Sequence, residues 1–326
     1  MKVAVTGATG HLGNVVCRIL VDKGHEVQAL YRSESSALDG LNLTLHKGDL
    51  SDRKSLEELM SGCDYVVHSA GLISISGGQD GLVDKVNVEG TKNVLETAIK
   101  CGLKKIIHIS SVHALVPPNH NTPMNENHIY KSERDYAYDY SKVRGEKIML
   151  KAFKEGKIEG CVIRPSLIAG PFDFRPSEIG KGLIDYRNEK IPVVAPGGFD
   201  FVDVRDVAKS IVSAITKGQN GEAYMISGQY ISMKELTLFI EKAASVKVPK
   251  RVLPFWVMRT SLPFVKVYGK LRGAAPIFTK ESIAALKNGH PNIDSSKAKD
   301  HLGYSSIPVL ETLKDFYEWY DISQNK

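Results

Sequence analysis

No stretch of this 326-residue chain reaches the ~18 uninterrupted apolar residues that a transmembrane helix needs, so no membrane span is expected. The opening MKVAVTGATG ends its apolar run at once in a polar, glycine-rich turn and does not read as a signal peptide. Cysteine is scarce: Cys17, Cys63, Cys101 and Cys161 lie far apart, without a CxxC pair or metal-ligand spacing. That excludes a disulfide scaffold and a thiolate metal site, and fits reduced, mostly buried cysteines in a cytoplasmic protein. Long blocks of consecutive cations are missing as well. The 43 Lys and Arg against 37 Asp and Glu give a net charge of +6, spread along the chain. This reads as mild attraction to an anionic cofactor or substrate, and no nucleic-acid partner is expected. Repeats and low-complexity tracts are absent. What remains is 42% hydrophobic and 25% charged, a globular composition long enough for one large unit or two joined lobes.

Short apolar runs alternate with amphipathic stretches from the first residue. Lys2–Thr6, Glu26–Tyr31, Leu43–Lys47, Tyr65–His68, Lys105–Ser110 and Cys161–Arg164 read as strands. Between them lie helical patterns: one carrying Leu12, Val15, Val16, Ile19 and Leu20 and ended by Gly24, then Ser55–Met60, Val83–Lys100 and Tyr138–Phe153. Strands separated by helices pair in parallel through right-handed crossovers, which predicts an α/β fold with a doubly wound parallel sheet. After Pro165 the rhythm breaks. Proline and glycine become frequent, and helical runs at Val204–Thr216, Met233–Ala244 and Thr279–Leu286 are separated by irregular segments. The expected organisation is a dinucleotide-binding domain over 1–165, to which part of 193–226 returns. Residues 166–192 and 227–326 would form a smaller, mostly helical substrate lobe.

Gly7, Gly10 and Gly13 in TGATGHLG follow the first strand and open the first helix. Glycines let the backbone approach a pyrophosphate, and the helix start offers free amides and a partial positive charge. An acid at the end of the second strand would bind ribose hydroxyls and repel a 2′-phosphate. Here the chain reads Arg32-Ser33, which suits the 2′-phosphate of NADP(H) better than NAD(H). Asp49 of Gly48-Asp49-Leu50 is placed to accept from an adenine amino group, or to act as a helix cap.

Tyr138 and Lys142 stand at i and i+4, one face of a helix. A phenol titrates near pH ~10 and is a poor proton donor at neutrality unless a cation lies beside it, which Lys142 would supply. Tyr140 with Arg144 is a competing register. The strand KIIHIS runs into Ser111, so two hydroxyls sit at the carboxyl end of a strand, where open α/β sheets bind ligands.

TGATGHLG, GDLSD, VVHSAG, KVNVEGTKNVLETA, HISS, YDYSKVRGE, VIRPSLIAGP and FVDVRDVAKSI occur in an order that resembles the extended short-chain dehydrogenases/reductases, from Met1 to about Ile215, with LGY at Leu302-Gly303-Tyr304 behind. The branch most resembled holds dihydroflavonol reductases, aldehyde and ketone reductases and 3β-hydroxysteroid dehydrogenases. The resemblance implies Tyr138 as acid–base, Lys142 as its partner and Ser111, not Ser110, as carbonyl anchor. It implies cofactor contacts from Gly7, Thr9, Gly10, His11, Leu12, Gly13, Arg32, Asp49, Leu50, Ser69, Ala70, Gly71, Lys142, Pro165 and Leu167, and no metal. His113 follows the catalytic serine where sugar-nucleotide dehydratases carry acids, and it reads as a structural or pocket histidine.

The expected activity is NADP-dependent interconversion of a carbonyl and a hydroxyl on a hydrophobic small molecule. Rivals are a nucleotide-sugar epimerase or dehydratase, whose diphosphate pocket the basic residues Arg175, Lys181, Arg187 and Arg251 do not exclude, and a non-catalytic cofactor sensor. A homodimer is compatible with either enzyme. The apolar stretch Val252–Val267 offers Trp256 and Met258 as a core element, a membrane or subunit contact, or a pocket wall that selects a large carbonyl.

Overall fold

Val3, Ala4 and Val5 are wholly buried, because a central strand in a parallel sheet is covered by helices on both faces. The computed structural model describes residues 1–74, 77–272 and 278–324, with the backbone alone over 265–272. The chain runs β1 (Lys2–Thr6), α1 (His11–Asp22), β2 (Glu26–Tyr31), β3 (Thr44–Lys47), α2 (Arg53–Met60), β4 (Tyr65–His68) and the short α3 (Leu82–Asp84). A π-turn at Lys85–Glu89 leads into α4 (Gly90–Lys100), then β5 (Lys105–Ile109), α5 (Ala137–Lys154) and β6 (Glu159–Pro165). Beyond Pro165 come β7 (Leu167–Ala169), α6 (Glu178–Arg187), β8 (Gly198–Asp203), α7 (Val204–Lys217), β9 (Ala223–Ile226) and β10 (Gln229–Ser232). The last elements are α8 (Met233–Ala244), α9 (Phe255–Arg272), α10 (Lys280–Asn288), α11 (Ser296–Leu302) and α12 (Val309–Gln324).

Seven strands pair in the order β3-β2-β1-β4-β5-β6-β9, all parallel. This is the doubly wound Rossmann sheet that the strand–helix alternation predicts. The order reverses between β1 and β4, so the crevice for a ligand opens at the carboxyl ends of those two strands. One face buries Val16, Val207, Ile211 and, from near the carboxyl terminus, Ala298, Leu302 and Tyr304. The other buries Leu56, Leu59, Val94, Met149 and Phe153. All four cysteines are free, and three of them are buried.

The region beyond β6 is mostly helical, as expected, and also holds a small sheet, β10-β8-β7. Its strands have three to six residues and sit among proline and glycine, too short for a period-2 signal. Leu183, Phe201, Ile231, Ile240, Leu313 and Phe316 form the core between this sheet and α6, α8 and α12.

One ion pair ties the site-bearing helix to the sheet. Arg164 on β6 and Glu146 on α5 are 2% and 0% exposed, and the guanidinium reaches both carboxylate oxygens at 3.2 Å and shorter. The Tyr130 hydroxyl donates to Glu146 (2.6 Å) and accepts from Arg164 (2.9 Å), while Arg164 also donates to the Glu126 carbonyl. Glu126 in turn accepts from the Met225 amide of β9. Removing one partner of such a pair leaves a buried charge alone. Glu146→Ala is therefore expected to lose about 3–5 kcal/mol of stability, read as a fall in the urea midpoint at unchanged m-value.

Candidate active site

The glycine turn is built by exclusion. Gly7 has φ +71, and a Cβ there would lie 2.6 Å from the Ala70 amide; at Gly13 it would lie 2.1 Å from the Gly7 carbonyl oxygen. No side chain caps α1 at Gly10 and no acid stands in its first turn, so the first amides of the helix, those of His11, Leu12 and Gly13, are left without a side-chain cap. A pyrophosphate fits there, and Thr9 and Gly10 remain accessible beside it. Ser69 and Ala70 press against the turn, the Ser69 amide donating to Thr6.

Arg32 and Ser33 are exposed at the end of β2. Across the rim, Asp49 accepts from the Ser51 amide and hydroxyl through Oδ1. Its carboxyl is held below the usual range first by the Ser51 amide, with the Arg32 charge contributing. Leu50 is buried under Gly90, where a Cβ would come within 2.8 Å of the leucine. A loop of the second lobe closes this end of the crevice. His11 Nε2 meets the Pro171 carbonyl at 3.0 Å, and Arg175 donates to the Glu34 carboxylate and carbonyl at 3.1 and 3.2 Å.

At the carboxyl end of β5 the Ser111 hydroxyl, which accepts from the His113 amide at 3.1 Å, lies near enough to the buried phenol of Tyr138 to act on it. Burial, and then the charge of Asp139, push the phenol above its ordinary value, with the Ser111 hydroxyl opposing. The neighbouring Ser110 hydroxyl is buried without a partner, so it is Ser111 that faces the tyrosine. Lys142 lies one turn further along α5. Its ammonium donates to the Ile109 carbonyl at 3.0 Å and stands where a Cβ on Gly71 would be 3.2 Å away. Burial brings it down to about 8 against the charge of Glu146. The expectation that Lys142 acidifies the phenol is not met in this arrangement. The ammonium is drawn toward the Ile109 carbonyl, and its charge falls on His68 and His108 instead. Pro165 and Leu167 end β6 and begin β7, and the Ser166 amide between them is held by Ile226.

The competing register lies outside this cluster. Arg144 is paired with Asp84 at 2.6 Å and stacks on Tyr140. His113 stands 4.0 Å from Asp139, whose other oxygen is taken by Lys131 at 2.5 Å. Met258 is 4% exposed, but Trp256 is 68% exposed and forms no wall of a closed pocket. Two residues apart on a helix is about 200° of rotation, so both cannot face inward. The side chains of Val265, Lys266 and Val267 lie outside the described residues.

Sequence reasoning missed Asn87. It sits in the π-turn, 4% exposed, accepts from the Leu72 amide (2.7 Å) and donates to the Leu72 carbonyl and the Ser141 hydroxyl (2.9 Å each). It thereby clamps the loop after β4 to the helix of Tyr138 and Lys142. A buried asparagine inside an apolar helical run is the signal that was available. His68 was also passed over as a motif letter. Thr91 donates to the Asn87 carbonyl, so His68 Nε2–H donates to Thr91 and its Nδ1 accepts from Thr6. Burial takes His68 down to about 3, so the ring is neutral.

Fold and site together define a Rossmann enzyme of the extended short-chain dehydrogenase/reductase kind, built around a glycine turn and a hydroxyl-bearing strand end. The chain belongs to the NAD dependent epimerase/dehydratase family, whose model matches residues 3–227. It is 31% identical to sterol demethylase protein B of Methylococcus capsulatus, over 98% of each chain. Against a putative dihydroflavonol 4-reductase of Synechocystis it is 27% identical, over 97% of this chain and 93% of that one. The solved structure of gox2253 superposes with a TM-score of 0.85 at 30% identity, covering 99% of this chain and 98% of the other. Like its relatives named reductases and dehydrogenases, the chain is an oxidoreductase of this NAD(P)-dependent family.

Gly13→Ala is expected to weaken dinucleotide binding by at least about tenfold while the far-ultraviolet circular dichroism is preserved, because the added methyl displaces the Gly7 carbonyl from the turn. Titration of protein fluorescence with the dinucleotide measures it.

Proposed function

We propose that the protein is an NADP(H)-dependent reductase or dehydrogenase that interconverts a carbonyl and a hydroxyl on a hydrophobic small molecule, using Ser111, Tyr138 and Lys142. The observation that carries this reading is the nearness of the Ser111 hydroxyl to the buried Tyr138 phenol at the carboxyl edge of the sheet, with Lys142 one turn away on α5 and donating to the Ile109 carbonyl. Bound NADPH would supply the hydride to the carbonyl carbon. Ser111 donates a hydrogen bond to the carbonyl oxygen, and Tyr138 gives that oxygen its proton. The raised phenol suits this direction, since it keeps the donor protonated at neutral pH. Lys142 anchors the end of β5 and presents its remaining N–H groups to the ribose side of the crevice. Arg32 and Ser33 would receive the 2′-phosphate.

The names of relatives, a sterol demethylase protein and a dihydroflavonol reductase, support a bulky carbonyl compound as substrate. The epimerase alternative needs converging cations for a diphosphate. Arg175, Lys181 and Arg187 are instead paired with Glu34, Glu178 and Asp321, and Arg251 is exposed at the surface without an ion pair among the described residues.

Tyr138→Phe is expected to cut carbonyl reduction by about 10²–10⁴-fold with NADPH affinity unchanged, and Tyr140→Phe to be mild. The reverse ranking in a steady-state assay overturns the assignment. Arg32→Asp is expected to raise KM for NADPH and to spare NADH, since the new charge opposes the 2′-phosphate alone; equal effects on both cofactors overturn the NADP preference.

The pH response separates activity from stability. Lys142 is lowered from 10.5 to about 8, so kcat/KM is expected to fall as pH rises through 8 and the ammonium is lost. Between pH 8 and 10.5 the unfolded chain holds more protons at this lysine, so its contribution to stability rises with pH there. Lys142→Met should remove both trends from rate and melting profiles.

A further inference from the structure

The charge surplus has no long run of consecutive cations, yet it is concentrated. Residues 242–280 hold nine Lys and Arg and no Asp or Glu, while the rest of the chain carries a net charge of −3. This acid-free stretch spans the end of α8, all of α9 and the start of α10. Lys242, Lys247, Lys250, Arg251, Arg259 and Lys280 are exposed. Among the described residues none of these six is held in an ion pair.

The first half of α9 is divided by its own periodicity. Trp256, Arg259, Thr260, Pro263 and Phe264 follow the spacing of one helix face, and all five are exposed. Trp256 is 68% and Phe264 77% exposed, while Met258 on the opposite side is buried. Two large aromatics at solvent, flanked by unpaired cations, are an expensive surface for a protein that meets only water.

α9 packs against α10, and the loop after β4 approaches the start of α5, where a Cβ on Gly78 would lie 3.6 Å from Ala137. The charges of Glu281 and Arg259 both act on the phenol of Tyr136, which immediately precedes the helix of Tyr138. Glu281 also lies near the Gly77 amide, in the loop after β4 where Ile73 is 64% exposed.

We propose that the exposed face of α9, with Trp256, Phe264 and Arg259 and the flanking Lys247, Lys250 and Arg251, docks the protein on an anionic lipid surface, holding the mouth of the active site against the bilayer. Charge complementarity selects this occupant. Indole and phenyl rings settle at the headgroup level of a bilayer, and lysine and arginine beside them reach the lipid phosphates. A second copy is disfavoured, because two surfaces this cationic repel. A protein groove is a poorer match, since lysine, six of the nine cations, is depleted at protein interfaces. Docking is independent of which cofactor or carbonyl the site takes, and it would let an apolar substrate enter without crossing water.

The test is co-sedimentation of the full chain with vesicles of phosphatidylcholine and phosphatidylglycerol in equal parts, against phosphatidylcholine alone. Binding is expected to the anionic vesicles only, and to weaken as salt shortens the screening length. In a Trp319→Phe background, Trp256 emission is expected to shift to the blue on binding. Trp256→Ala with Phe264→Ser, and separately Lys247→Gln with Lys250→Gln and Arg251→Gln, are each expected to weaken binding by roughly tenfold at an unchanged melting temperature, since apolar area and charge both contribute. Failure to sediment, equal binding to neutral vesicles, or variants that bind like the parent would overturn the proposal. So would a concentration-dependent dimer, or a soluble protein complex, lost in the Trp256/Phe264 variant.

Discussion

The pairing of Arg164 with Glu146 in a dry interior is the constraint on which the site depends. A guanidinium and a carboxylate taken out of water are tolerable only if every remaining donor and acceptor is answered. Tyr130, the Glu126 carbonyl and the carboxylate's second oxygen answer them. Because Glu146 is one turn beyond Lys142, and Arg164 is on β6, the network fixes the rotation and height of α5 against the sheet. It also draws the 115–136 connection down onto β9 through Glu126 and Met225. The place of Tyr138 over the end of β5 follows from these contacts rather than from anything local to the tyrosine.

Where α5 meets the ends of β4 and β5, the ionisable groups lie close together and two of them are uncharged rings. His68 is neutral, locked between Thr6 and Thr91, and His108 beside it is pushed far below its ordinary value first by burial, with the charge of Lys142 adding. Lys142 is the cation that acts on both rings, and burial already weakens its hold on a proton. Two uncharged rings under an ammonium avoid the like-charge repulsion that protonated histidines would add. Asn87 supplies the remaining link, since its π-turn lets one amide hold both the loop after β4 and the start of α5.

Much of the first half was legible because its signals are local. A glycine that must lie against a neighbouring backbone, an apolar run of five residues, and a tyrosine–lysine spacing of one helical turn are each written within a few positions. The second lobe was harder. β7, β8 and β10 are too short to show a period, and they cohere only because Phe201 and Ile231 meet residues from α6, α8 and α12. The charge of 242–280 was missed for a different reason: it is an absence of acids over a long window, not a run of bases.

The chain alone determined the strand–helix alternation, the phosphate turn and the residue types available for proton transfer, since each rests on backbone conformation or side-chain chemistry within one element. Tertiary structure decided which serine faces Tyr138, that Lys142 leans toward Ile109 and not toward the phenol, that Tyr140 and Arg144 stand apart with Asp84, and that Trp256 faces solvent while Met258 does not. Those are questions of direction. A side chain's direction is set by which groups from distant parts of the chain must be satisfied or buried beside it, and sequence order does not carry that information.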